Sequence, residues 1–263
     1  MPVTHLKKAS DYIPTEEFMK FFIAGDYGTG KSEFAATAPT PGFVFDFDNK
    51  IATYGRYPGW DYANFENSPK GWMEYDKTFR EVKDAVDKGE YKTIVNDSCT
   101  SMLGLAMERA LQLDPKRSET NGPLWNVHFQ MVKNLLEGKF RQMYTMNSNV
   151  IVIAHLEFKL DNKTGDILDI APLLTGRLAI EVPGMFEEVY CAFTRPKEGG
   201  KTEYYLRTTP KGMYKARSTL SGRMSLMPAE IPNSYPAVIS AYRNAVQKHK
   251  ERVAELRAAK TTQ

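Results

Sequence analysis

Cysteine is nearly absent from this chain, with two in 263 residues, Cys99 and Cys191. They lie far apart and match no metal-ligand spacing, which excludes a disulfide scaffold or a zinc module and leaves two reduced thiols. Long apolar runs are missing too. No stretch reaches the ~20 residues of a membrane-spanning helix, and the opening MPVTHLKKASDYIP lacks the apolar core of a signal peptide. These absences predict a reducing cytoplasm and no membrane partner. The chain has no low-complexity tract and no internal repeat, so neither disorder nor a solenoid is expected. Excess charge is scarce as well. With 35 Lys and Arg against 32 Asp and Glu, the net charge of +3 is too small to imply a nucleic-acid partner by itself.

What is present is a succession of short apolar strands separated by helical or loop segments. Strands are predicted at 19–24, 43–48, 93–97, 150–154, 186–194 and 203–208. Helices are predicted at 31–38, 74–89, 101–113 and about 125–143. In the last, Trp125, Phe129, Val132, Leu136, Phe140 and Met143 recur on one face. Residues 156–182 read as a long polar loop. Alternating strands and helices predict an α/β fold, with a mostly parallel central sheet flanked by helices. With no strong linker, one domain is expected: an extension over 1–18, a core over 19–235 and a basic helix over 236–263.

The motif Gly25-Asp26-Tyr27-Gly28-Thr29-Gly30-Lys31-Ser32 satisfies G-x-x-x-x-G-K-[ST] in full, after an apolar strand and before a helix. Glycines let the backbone curl so that its N–H groups converge on phosphate oxygens. Lys31 then reaches the outer phosphates of ATP, and the Ser32 hydroxyl ligands Mg²⁺. These eight residues, with Glu33 behind them, form the predicted nucleotide-binding segment.

Acids close two further strands. Asp97 fits a carboxylate that holds Mg²⁺ through water, or else a cap for the helix that follows. Asp46 and Asp48 share a strand face, and one of them, with Asp48 preferred, would activate water; an acidic turn is the other reading. His155 ends the fourth strand beside the same crevice. It either senses the γ-phosphate or is a polar residue satisfied beside the core.

Four blocks in order, GDYGTGKS, FVFDFDNK, TIVNDS and IVIAH, give the chain its resemblance. It resembles a RecA-like P-loop ATPase, and within that group the phage-encoded ATPases of single-strand annealing and recombination. The resemblance implies an ATPase core, catalytic roles for Lys31, Asp48, Asp97 and His155, and metal binding by Ser32 and Asp97. The family usually has Glu at the position of Asp48. The resemblance also implies single-stranded DNA contacts by 156–182, and a basic finger, Lys215 and Arg217, acting in the site of a neighbouring subunit. A homo-oligomer, a phage single-strand DNA-binding protein as partner and a bacterial host cytoplasm follow from the same likeness. The 156–182 segment mixes Lys159, Lys163 and Arg177 with Glu157, Asp161, Asp166 and Asp169, so it is no basic patch. Two other readings stay open: a nucleotide-dependent switch coupled to a protein, and a small-molecule kinase.

Overall fold

Strand β1 (Lys20–Gly25) is buried along nearly its whole length, and so are β2 (Gly42–Asp46) and β4 (Thr93–Asp97). Strands apolar on both faces belong inside a sheet covered on both sides. In the computed structural model, which describes residues 12–222 and 225–261, they lie there. The sheet is completed by β3 (Trp60–Asn64), β5 (Asn149–Leu160), β7 (Glu188–Lys197), β8 (Lys201–Arg207) and β9 (Glu230–Pro232). Its order is β3-β2-β4-β5-β1-β7-β8-β9. Pairing is parallel from β3 through β7 and antiparallel for β8 and β9. This is the mostly parallel sheet of the RecA-like expectation.

Helices α1 (Lys31–Ala36), α2 (Pro69–Asp87), α3 (Cys99–Leu113), α4 (His128–Tyr144), α5 (Leu178–Gly184) and α6 (Tyr235–Thr261) cover it. One core joins Phe22, Phe45 and Val152 of the sheet to α2, α3, α4 and α5. The other joins Phe21, Ile23 and Ile151 to α1 and α6. In α2 the buried Trp72, Tyr75, Phe79, Val82 and Val86 recur at helical spacing. Ser68 caps its start by accepting from the Gly71 N–H, and Pro69 occupies the first turn, where no backbone donor is lost. That cap sets the helix start five residues ahead of the predicted 74.

Three expectations are corrected. Residues 156–182 are not a loop. β5 runs on past the sheet to Leu160 and pairs antiparallel with β6 (Ile167–Pro172), and α5 follows. The hairpin closes because the Asp161 carboxylate accepts from the N–H groups of Lys163 and Thr164. The second strand stops at Asp46 rather than 48, because the Asp46 carboxylate turns the chain by accepting from the Lys50 N–H. The fourth predicted helix starts at His128. The His128 ring accepts from the Leu124 N–H and bonds the Asp114 carbonyl, and Trp125 is left 66% exposed outside the helix. Of the predicted extension over 1–18, residues 1–11 lie outside the described residues.

Phe45 is fully buried between the rings of Phe43, Tyr75 and Phe79, at centroid distances of 5.0, 5.5 and 5.8 Å. Phe45→Ala should cost about 3–5 kcal/mol of stability, read as a lower denaturant midpoint with an unchanged slope in equilibrium unfolding.

Candidate nucleotide site

The P-loop leaves β1 at Gly25, and a Cβ there would lie 2.8 Å from the Ala192 carbonyl of neighbouring β7. Gly30, with φ of 79°, starts α1 in the left-handed region that side chains rarely adopt. Asp26 accepts from the Tyr27 N–H through its carboxylate and from the Thr29 hydroxyl through its carbonyl. Asn233, just after β9, donates from its side chain to the Thr29 and Gly30 carbonyls, 3.0 Å each. The loop is thus held in shape from both ends. Tyr27 stands 84% exposed at its tip.

Lys31 is buried, and its ammonium donates to the carbonyls of Gly25 at 3.0 Å and Asp26 at 2.7 Å. Burial pushes its pKa down, opposed by the charges of Asp97, Asp26 and Asp48. The Ser32 hydroxyl donates to Asp97 Oδ2 at 2.7 Å, and the Tyr54 hydroxyl donates to the same oxygen at 2.8 Å. Burial raises the pKa of Asp97, against these two donors and with the charges of Asp48 and Asp46 adding to the rise. Glu33 lines the same crevice and accepts from Arg56 at 2.7 Å and from the Tyr57 hydroxyl. Residues Ile51–Arg56 form a short 3-10 helix that brings Tyr54 and Arg56 to these partners.

Asp48 and Asp46 part company. Asp48 lines the crevice, accepting from the Ser98 hydroxyl at 3.0 Å and standing 3.3 Å from His155 Nε2. Burial pushes the Asp48 carboxyl up, but the hydrogen bonds from His155, Ser101 and Ser98 outweigh it and hold it below the usual carboxylate range. Asp46 is buried behind it, its carboxyl raised by burial, and serves the 46–50 turn. The backbone at His155 is fixed in turn, its amide N–H donating to the Thr100 hydroxyl at 3.1 Å.

Lys31, Ser32, Asp48, Asp97 and His155 therefore line one crevice of about 580 Å³. The oxygen donors of Ser32 and Asp97, side by side, suit a hard cation such as Mg²⁺. The buried ammonium and the curled loop suit a triphosphate, so the residues present fit both groups. Lys215 and Arg217 lie elsewhere, lining a separate, mostly apolar cavity of about 390 Å³. Lys215 pairs with Asp169 of β6 at 3.3 Å, and Arg217 donates to the carbonyls of Pro183, Gly184 and Phe186 at the end of α5.

A family model described as an AAA domain matches residues 17–220. The chain belongs to that family. This AAA domain, with its P-loop complete, is a P-loop ATPase. It is similar to the solved structure of a KaiC-like protein from the hyperthermophilic archaeon Pyrococcus horikoshii. That match has 16% identity over 82% of this chain and 85% of the other, with a TM-score of 0.44. It is also similar to the flagellar accessory protein FlaH from Methanocaldococcus jannaschii, at 12% identity over 82% and 84%, with a TM-score of 0.36. No curated protein matches it. No helix among the described residues is long and apolar enough to cross a membrane.

Sequence reasoning passed over Tyr54 and Asn233. Both reach the AAA domain's site from segments that carry no motif. Only the nearness of Tyr54 to FVFDFDNK hinted at its role.

Asp97 is a carboxylate whose folded pKa lies above its unfolded one. It favours the folded state below the unfolded pKa, and that favour is lost as pH rises through the folded pKa. Asp97→Asn should therefore raise the melting temperature of the nucleotide-free protein at neutral pH. The gain should be roughly 2–4 °C per kcal/mol of relieved burial cost, shrinking as pH falls into the carboxylate range. Thermal melts at stepped pH check this; a lower melting temperature at neutral pH would contradict it.

Proposed function

We propose that this chain hydrolyses ATP with Mg²⁺ and couples the nucleotide state to single-stranded DNA, in phage recombination or annealing. The observation that carries the coupling is the contact of His155 Nε2 with Asp48 Oδ2 at 3.3 Å. His155 belongs to β5, the one crevice strand that continues past the sheet into the β5–β6 hairpin. A change in what Asp48 accepts is thus felt on a strand that ends 52% exposed at Leu160.

Lys31 would exchange its two loop carbonyls for phosphate oxygens. Ser32 and Asp97 would hold Mg²⁺, which when bound neutralises charge on the phosphates. Asp48, kept ionised by its donors, would orient the attacking water; its low basicity suits positioning better than early proton removal. In an oligomer, Lys215 and Arg217 would have to release Asp169 and the α5 carbonyls before serving a neighbour's site.

A protein-coupled switch is favoured by a different observation. The hairpin exposes Leu160, Ile167 and Leu168 among Glu157, Asp161, Asp166 and Asp169. Apolar groups among acids suit a polypeptide better than a polyanion.

Steady-state ATP hydrolysis at low salt with Mg²⁺, with and without single-stranded DNA, separates the two. Lys31→Ala should abolish turnover while the chain stays folded. His155→Ala should lower the DNA-stimulated rate more than the basal rate. Hydrolysis indifferent to DNA would move the assignment to the protein-coupled switch.

A further inference from the structure

The cations are distributed unevenly. Residues 193–217 hold seven Lys and Arg (195, 197, 201, 207, 211, 215 and 217) against two Glu (198 and 203), a net +5 within a chain of net +3. This stretch comprises the second half of β7, all of β8 and the turn that follows. In the antiparallel register, Phe193 stands opposite Tyr205, Arg195 opposite Glu203, and Cys191 opposite Arg207. Directly opposed residues share a face, and residues two apart along a strand share it at a spacing of about 7 Å.

On that face cations and rings alternate. The Phe193 and Tyr205 rings stack with centroids 5.8 Å apart and planes 25° apart. The Arg195 guanidinium lies 5.2 Å from the Phe193 centroid and 5.1 Å from that of Tyr205. Arg207 lies 4.2 Å from Phe193 and 5.3 Å from Tyr214. Arg207 makes no ion pair among the described residues, and its Nε is buried without a hydrogen-bond partner. Arg195 pairs with Glu230, and Lys197 with Glu203 at 2.5 Å, each with its cation exposed to solvent. Helix α6 is also basic, but its tyrosines, Tyr235 and Tyr242, are buried. The β5–β6 hairpin is acidic and aliphatic.

From this juxtaposition we infer that the β7–β8 face, with Phe193, Arg195, Tyr205, Arg207 and Tyr214 at its centre, is where single-stranded nucleic acid binds. A polyanion that carries flat rings matches a surface of alternating guanidinium groups and rings: phosphates meet the cations and bases meet the aromatic faces. This assignment rests on the single-strand reading above but places the strand on β7–β8 rather than on 156–182.

Fluorescence anisotropy with labelled oligothymidylate, at stepped salt concentrations, tests it on the full chain. Phe193→Ala and Arg207→Ala should each weaken binding roughly tenfold. Arg207→Ala should also lower the salt slope by about one. Hydrolysis of ATP without DNA reports folding, since neither residue lines the nucleotide crevice. Lys159→Ala and Lys163→Ala, on the hairpin, should leave affinity within about twofold. Loss of binding in the hairpin variants but not in the β7–β8 variants would overturn the placement and leave the single-strand reading intact. Equal affinity of the wild type for a duplex of the same length would overturn the stacking half. No binding by the wild type, with acidic polypeptide binding in its place, would overturn the single-strand reading itself.

Discussion

Asp97 is a carboxylate kept where water scarcely reaches, and the site is arranged around the cost of keeping it there. A buried charge left unpartnered is expensive, so each neighbour supplies a donor or an opposite charge. Ser32 and Tyr54 both donate to one of its oxygens, and the Lys31 ammonium is drawn toward it electrostatically. Those demands fix the first turn of α1, the 3-10 helix after β2 and the start of α3 relative to one another.

The P-loop and the four central strands were legible because their signals are local. An apolar run that must be buried on both faces, and a glycine pattern that only a phosphate loop needs, can be read without knowing their neighbours. β4 was bounded to the residue at 93–97 for that reason. The β5–β6 hairpin was not legible, since its outer half is polar enough to read as loop. Its pairing depends on a turn set by one aspartate, Asp161. Tyr54 was hidden for a different reason. Its meaning comes from a hydrogen bond across 43 positions of sequence, and a lone tyrosine in a short 3-10 helix carries no spacing to recognise. The choice between Asp46 and Asp48 could not be made from strand alternation, because the strand ends between them.

The family match accounts for the chemistry of the crevice and leaves open what that chemistry drives. Here the arrangement of secondary structure adds something. His155 leads from the crevice into the hairpin on one side. On the other, β7 runs parallel to β1, the strand that feeds the P-loop, and hands its edge to β8. The nucleotide crevice is thus joined by continuous strands to two surfaces of opposite character, one acidic and aliphatic, the other cationic and aromatic.

β8 gives that arrangement a parity. Tyr204 and Leu206 point to one face of the sheet, Tyr204 at the wall of the nucleotide crevice and Leu206 in the core beneath it. Tyr205 and Arg207 point to the other. Tyr204 thus faces the crevice while Tyr205 and Arg207 line the cationic face, with a single backbone thickness between them. Substitutions can then drift on one side without touching the other, while losing or gaining a single residue between 201 and 207 would exchange the two audiences at a stroke.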